Sequence, residues 1–468
     1  MMTPPRPGEP FVLMTCHGTI VQYVAAADRL IHGPIGQDSP VVELVRRGDE
    51  ASLSWRNASS DHPLGRATPG SEHLTAMLVA TALSLQETGP RRVNLSLGGR
   101  YLCAEADGTL ALSRDVASDW EHFLLLTGAE YALLLRILGN RWIDDQTEII
   151  LRPVLATAGA QPVVSFGEDA ISIPDLLAAA SNAERGPNAL WLPVAGWKLR
   201  LFRLYRPLAY LVAYGDDAIF DCAAIAIRCL FEFGQWDGDV LLITDADHAA
   251  FAERLPEWMR ARLLIAAAPA NDVLDYTLRR YGIADCAQAW DYQPLLYIDT
   301  DVMCDRPLAP LLRALVASPL VHAFPEMPLA SENDYYGVSL LHADSLPFSP
   351  GEPGFSSGII GFRSAGEHRA LFQAIMRSTL GLAATLGRRD AFEYYDQPFF
   401  NYAARKSGMV TGAVMQRFAT IQFSHWPPLS APLRKGLVHF AGGVGKARPK
   451  LEQMTDYAAL LRKAAALP

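Results

Sequence analysis

Several absences narrow what this chain can be. It has no cluster of five or more lysines and arginines, and its net charge is −9 over 468 residues. Gripping nucleic-acid phosphates needs a concentrated basic face, so no nucleic-acid partner is expected. No stretch reaches the roughly 18 apolar residues that a membrane span requires, so no membrane span is expected either. The start of the chain, MMTPPRPGEP, lacks the apolar core of a signal peptide, which makes a cytoplasmic location the expectation. The six cysteines show no C-x-x-C spacing, which argues against a zinc ribbon or a dithiol redox motif and for buried, reduced thiols. What is present is ordinary: half of the residues are hydrophobic and 19% are charged, enough for two or three domains with substantial cores.

The first 168 residues read as short alternating strands around small turns. TCHGTIVQYVAAADRLIHG (Thr15 to Gly33), SLGGRYLCAEADGTLALSR (Ser96 to Arg114) and ILGNRWIDDQTEIILRP (Ile137 to Pro153) each set a turn residue before a strand-like run. Gly18, Gly99 and Asn140 fall 81 and 41 residues apart, about two units and one unit of a 40-residue repeat. Period-two alternation with regular turns predicts an all-β module. The segment RYLCAEADGTLALSRDVASDWEHFLLL resembles the repeat of fascin-like β-trefoils, which implies a β-trefoil-like accessory domain over residues 1–168. Leu74 to Gln86 reads instead as a helix. Trp55, Trp120 and Trp142 offer faces on which a sugar could stack, although core tryptophans explain them as well.

Residues 169–206 read as a linker or helical connection. From residue 207 to 468 the pattern changes to unbroken apolar strands such as LAYLVAY and DVLLITD, separated by amphipathic helices. That is the mark of an α/β sheet with parallel strands. Ligands of such sheets sit beyond the carboxyl ends of the strands, where Asp216, Asp245 and Asp299 fall.

The most informative stretch is LLYIDTDVMCDRPL, Leu295 to Leu308. An apolar strand runs straight into two aspartates one residue apart. Carboxylates so close repel unless a positive charge sits between them, and burying them unpaired costs several kcal/mol. A Mn²⁺ or Mg²⁺ ion held by both carboxylates and by substrate phosphates resolves the conflict, whereas a solvated turn is the plain alternative.

The segment YIDTDVMCDRPLAPLL closely resembles the metal-binding segment of GT-A fold retaining glycosyltransferases, in particular glycosyltransferase family 8. Four further segments resemble the family in the same order: LVAYGDDAIFDCAAIAIRCL, GFSSGIIGFRSAG, YYDQPFFNYAAR and LVHFAGGVGK. Together they cover roughly residues 208–449. The resemblance implies a Rossmann-like nucleotide-diphospho-sugar transferase domain that moves a hexose from a UDP-sugar to a glycan or protein acceptor. It further implies that Asp299, Asp301 and His439 hold the metal and that Gln397 and Asp396 lie beside the anomeric carbon. Donor contacts would come from Tyr214, Asp216, Asp217, Arg280 (with Arg279 as its alternative), Ser356, Ser357, Gly358, Gly442 and Lys446. Gly443 and Gly445 would let the backbone approach the diphosphate. The loop from Pro325 to Pro353 resembles nothing in the family, and Asp334, Tyr335 and Tyr336 within it are the candidate acceptor contacts. The chain departs from the family pattern in three places: the H-x-x-G-x-x-K segment is one residue longer, ARP replaces the usual P-W after the lysine, and Ser356 stands where asparagine is usual. Two other readings compete. One is a non-catalytic carbohydrate-binding protein with a degenerate transferase domain. The other, a haloacid-dehalogenase-like phosphatase, also uses a strand ending in D-x-D but needs a later acidic pair that is missing here.

Overall fold

The computed structural model describes residues 9–24, 29–36, 38–39, 41–47, 49–55, 82–89, 91–159, 161–181, 188–194, 198–329, 334–389, 394–423, 425–442 and 447–466. The chain forms two compact units, Met1–Leu204 and Tyr205–Pro468.

The first unit is rich in strands. Ten of them, β1 (Pro10–Thr15), β2 (Ile20–Val24), β3 (Arg29–Gly33), β4 (Val42–Arg47), β5 (Glu50–Trp55), β6 (Leu83–Gly89), β7 (Arg92–Leu97), β8 (Arg100–Ala104), β9 (Leu110–Arg114) and β10 (Phe123–Thr127), share one sheet. β10 pairs with both β1 and β7, so β1, β4, β5, β6, β7 and β10 close into a ring. Alternation along the strands decides which core each side chain enters. Phe11, Leu13, Leu95, Phe123 and Leu125 fill the inside of the ring, while Val12, Met14, Leu124 and Leu126 face outward into a second core. The hairpins β2–β3 and β8–β9 meet through His32 N, which donates to Gly108 O at 2.9 Å, and a bridge between Ile31 and Thr109.

Two of the expectations for this region are corrected. Ile137 to Gly139 do not open a third hairpin repeat but close a helix, Gly128–Gly139, so the first 168 residues are not all β. Thr127 and Glu130 form a capping box, and Tyr131, Leu134 and Ile137 recur at helical spacing on the buried side, which outweighs the likeness of LGN to a turn. Leu83 to Gln86 lie in β6 rather than in a helix, with Leu83 and Leu85 inward and Ser84 and Gln86 outward; the preceding residues 74–81 lie outside the described set. Residues 169–204 belong to the first unit. There β15 (Asp169–Ser172), the helix Ile173–Ala180, β16 (Ala189–Val194) and β17 (Lys198–Tyr205) join β11 (Arg141–Asp144), β12 (Ile150–Leu151), β13 (Val154–Ala158) and β14 (Gln161–Phe166) around the second core. Trp142 is buried in that core, Trp120 is partly exposed with its ring edge-on to His17, and the side chain of Trp55 lies outside the described set.

The second unit is α/β. A seven-stranded sheet runs β20 (Leu263–Ala267), β19 (Asp239–Thr244), β18 (Leu208–Val212), β21 (Leu295–Ile298), β24 (Pro353–Phe362), β23 (Val321–Pro328), β25 (Val410–Thr411). β20, β19, β18 and β21 are parallel, as the unbroken apolar runs predict. β24 is antiparallel to both of its neighbours, β21 and β23, so the sheet is mixed rather than fully parallel. A small second sheet, β22 (Val302–Cys304), β27 (Leu437–Ala441) and β26 (Ala419–Phe423), carries the chain beyond the D-x-D turn. The six cysteines are free, five of them buried, and no helix among the described residues is long and apolar enough to cross a membrane.

Candidate functional site

β21 ends at Ile298, and the chain turns through Asp299 and Thr300, with Val302 N donating to Asp299 O at 3.1 Å. β22 then pairs antiparallel with β27 in a register that sets Val302 opposite His439. This places the His439 imidazole beside Asp301, the residue just before Val302, although 137 residues separate His439 from Val302 in sequence (439 − 302 = 137). One ligand atom from each of Asp299, Asp301 and His439 lies within 4.8 Å of the others. Gly358 of β24 closes the site from below, because a Cβ there would lie 2.7 Å from Asp299 Oδ2 and 2.8 Å from His439 Cε1.

The electrostatics of the triad are set by its neighbours. Burial would raise the Asp301 carboxyl, but Lys450 Nζ at 2.6 Å from Oδ2 and His439 Nε2 at 3.3 Å from Oδ1 hold it well below the usual carboxylate range. Burial would likewise lower the His439 imidazole, and Asp301 beside it drives it up instead. Among the described residues, His439 Nδ1 is buried with no hydrogen-bond partner, and Asp301 Oδ1 has only the 3.3 Å ion pair with His439 Nε2. Buried polar atoms with spare capacity on a donor set of two carboxylates and an imidazole fit a metal ion.

Behind the triad, Arg280 is buried and fully engaged. It donates to Ser357 O at 2.6 Å, Ser357 Oγ at 3.0 Å and Thr277 O at 2.9 Å, and it pairs with Asp299 at 3.4 Å and Asp396 at 3.7 Å. Burial disfavours its charge, yet Asp299 and Asp396 push its pKa well above the ordinary arginine value. Tyr297 OH also donates to Asp299 Oδ1. Arg280 therefore braces the carboxylates from the protein side rather than presenting a free fork to a phosphate. Arg279, the alternative, bonds Pro269 O at the surface.

The remaining sequence candidates divide. Gln397 is buried at the start of the helix Gln397–Ser407; its Oε1 accepts from Ser357 N at 3.1 Å, and its Nε2 makes no close hydrogen bond among the described residues. Asp396 is buried too, accepting from Tyr281 OH at 2.6 Å, with burial raising its carboxyl against the pull of Arg280. Ser356 Oγ accepts from Gly358 N at 3.2 Å. Gly442 sits at φ +121°, beyond β27, while Gly443, Gly445 and Lys446 lie outside the described residues. Tyr214 stacks on Tyr276 at 5.3 Å and donates to Ala268 O at 2.6 Å, so one ring face and its hydroxyl are taken. Asp216 caps the helix Asp217–Glu232, and Asp217 pairs with Arg254.

Within the loop, Asp334 is exposed and bonds Ser339 N at 2.9 Å across a turn. Tyr336 is fully buried with its ring against Gly354 and its hydroxyl 3.1 Å from Glu326 Oε2, so it supports the site wall instead of facing solvent. Tyr335 is partly buried, edge-on to Tyr394 at 4.3 Å, and burial pushes its hydroxyl up to about 12.

Two residues escaped the sequence reading. Glu326, at the end of β23, is raised by burial, with the charge of His439 and the Ser356 and Tyr336 side chains opposing the rise. Its only sequence signal is a carboxylate inside the apolar run VHAFPEMP. Lys450, on the helix Ala447–Ala465, occupies a position on the apolar stripe of that helix, a pattern visible in KLEQMTDYAALL.

No family model and no curated protein matches the chain. Among solved structures, the chain is similar to the galactosyltransferase LgtC in complex with donor and acceptor sugar analogs, at 15% identity and a TM-score of 0.36, covering 56% of this chain and 97% of that one. It is also similar to the bifunctional glycosyltransferase WbbM at 14% identity and 0.36, covering 55% of this chain and 51% of that one. A third is the glycosyltransferase GlyE of Streptococcus pneumoniae, at 13% identity and 0.35, covering 56% and 63%.

Proposed function

We propose that the second unit is a metal-dependent retaining glycosyltransferase, moving a hexose from a nucleotide sugar, UDP-linked, to a hydroxyl of a glycan or protein acceptor. The observation that carries the reading is the convergence of Asp299, Asp301 and His439 at the end of β21, with Asp301 Oδ1 paired, among the described residues, with nothing but His439. The motif resemblance to family 8 supplies the reaction class.

In this reading Asp299, Asp301 and His439 hold the divalent ion, which when bound supplies positive charge to the diphosphate leaving group. Arg280 and Tyr297 fix the Asp299 carboxylate so that it presents one orientation. Gln397 directs its Nε2 toward the donor sugar, where an amide suits hydrogen bonding to the ring. Glu326, whose carboxyl burial raises, is placed to accept a hydrogen bond from a sugar or acceptor hydroxyl. We read the ring of β1, β4, β5, β6, β7 and β10, with its hairpins β2–β3 and β8–β9, as the frame of a β-trefoil-like accessory module for glycan or protein binding.

The test is release of UDP from a panel of UDP-sugars with Mn²⁺, with Asp301→Ala alongside. The expected outcome is slow hydrolysis of one donor that requires Mn²⁺ and falls at least about 100-fold in the variant, by analogy with loss of one electrostatic contact to the leaving group. A wild-type protein that neither binds Mn²⁺ nor turns over any donor contradicts the reading and favours the carbohydrate-binding alternative.

A further inference from the structure

Lys450 is in an unusual place for a lysine. The helix Ala447–Ala465 buries Met454, Tyr457, Ala458 and Leu461, and Lys450 lies on the same stripe, four, seven, eight and eleven residues before them. Its side chain is only 18% exposed. It also sits in the first turn of its helix, where the positive end of the helix dipole disfavours a cation. Neither solvation nor local helix electrostatics accounts for an ammonium there.

The Asp301 carboxylate does. Lys450 Nζ lies 2.6 Å from Asp301 Oδ2, and Asp299 adds its field. The lysine is delivered by anchored structure: Tyr457 OH donates to Asp305 Oδ2 at 2.8 Å and accepts from Leu433 N at 2.9 Å, and Arg462 pairs with Glu232 at the far end of the helix. A carboxylate that can give one oxygen to a divalent ion is thus already neutralised by a tethered monovalent one.

We propose that Lys450 is a built-in counter-ion that competes with the divalent cation for Asp301, and that it must leave Oδ2 for the metal to bind in full. This rests on the metal-site reading above. The ammonium offsets the repulsion between the two carboxylates of the triad. The competition means that metal affinity is set by the fraction of molecules in which the lysine has swung away, because apparent affinity falls in proportion to that fraction. Once displaced, the ammonium is left at the edge of the site, where the diphosphate of a nucleotide would draw it.

The experiment is titration of Mn²⁺, in the absence of nucleotide, into the full-length protein, following the free-ion signal by electron paramagnetic resonance. The proteins are wild type, Lys450→Met, Lys450→Gln and Lys450→Arg. Methionine keeps the stem packing and removes the charge; arginine keeps the charge. The expected result is that Lys450→Met and Lys450→Gln bind Mn²⁺ at least ~10-fold more tightly than wild type, while Lys450→Arg gains nothing. In thermal unfolding, Mn²⁺ should raise the Tm of Lys450→Met by more than it raises that of wild type, since the variant has an uncompensated Asp301 to satisfy. Wild-type-like or weaker Mn²⁺ binding by both neutral variants, with wild type binding normally, overturns the lysine proposal and leaves the metal site standing. No Mn²⁺ binding by any of the four proteins overturns both.

Discussion

At the scale of single residues, the site is built by side chains that are more constrained than their types suggest. Gly358 is the sharpest case. Its strand passes so close to the triad that a methyl group would meet Asp299 Oδ2 and His439 Cε1 at under 3 Å, with its own carbonyl tied to Asp299 N at 2.8 Å. Neither neighbour can retreat: Asp299 is held by Arg280 and Tyr297, and His439 by its place in β27. Gly358→Ala should therefore weaken Mn²⁺ binding at least ~10-fold and cost about 1–3 kcal/mol of stability, as overpacking does. Calorimetric Mn²⁺ titration and urea unfolding read the two effects separately, and unchanged metal affinity in a folded variant would show that Gly358 has no part in shaping the site. The D-x-D pair was legible from sequence at this scale, because a carboxylate doublet closing an apolar strand violates ordinary burial. The engagement of Arg280 was not. Its partners Ser357, Asp299 and Asp396 come from three segments, and only folding aligns them.

At the scale of elements, strand register and helix anchoring do the positioning. β22 is three residues long, yet its pairing with β27 alone puts His439 next to Asp301. A slip of one residue would turn His439 to the other face of the sheet. The terminal helix is held at its middle by Tyr457, whose hydroxyl links Asp305 to Leu433 N. Asp305 in turn accepts from Gly436 N at 2.7 Å and so ties β22 to the chain entering β27. Tyr457→Phe removes one of two donors to Asp305 Oδ2, the other being Lys435 N at 3.2 Å, and takes the acceptor from Leu433 N, and should cost about 1–3 kcal/mol. Urea unfolding checks the cost. Because the same helix carries Lys450, the variant should also bind Mn²⁺ more tightly than wild type if the lysine is loosened. The helices and parallel strands of residues 208–298 were readable from hydrophobic period. The antiparallel turn of β24 was not, since buried strands of either direction look alike in sequence. In the first unit, LGN after Ile137 reads like a turn in isolation, and only the capping box at Thr127 and the apolar face of Tyr131, Leu134 and Ile137 reveal a helix end.

At the scale of the molecule, pH dependence exposes a cost buried in the second unit. His322 and His368 are packed in its interior with all four ring nitrogens unpartnered among the described residues, and burial holds both imidazoles down to about 4. Unfolded histidine titrates near 6.5, so between pH 6.5 and 4 the unfolded chain binds protons that the folded one refuses. The stability they allow is present above pH 6.5 and is lost as the pH falls toward 4, by about 2 kcal/mol per histidine at pH 5. Urea unfolding at pH 7.5 and pH 5 should show a loss for wild type that is about 4 kcal/mol larger than for the double variant His322→Leu/His368→Leu; equal losses would mean the histidines are solvated. By itself, the sequence determined the parallel strands between residues 208 and 298, and that Asp299 and Asp301 close a strand, because periodicity and charge placement are local properties. How distant residues come together at that site was decided only by the tertiary structure. His439, Glu326, Gly358 and Lys450 reach it through sheet order, register and helix docking, and those are set by long-range packing that no single stretch of chain encodes.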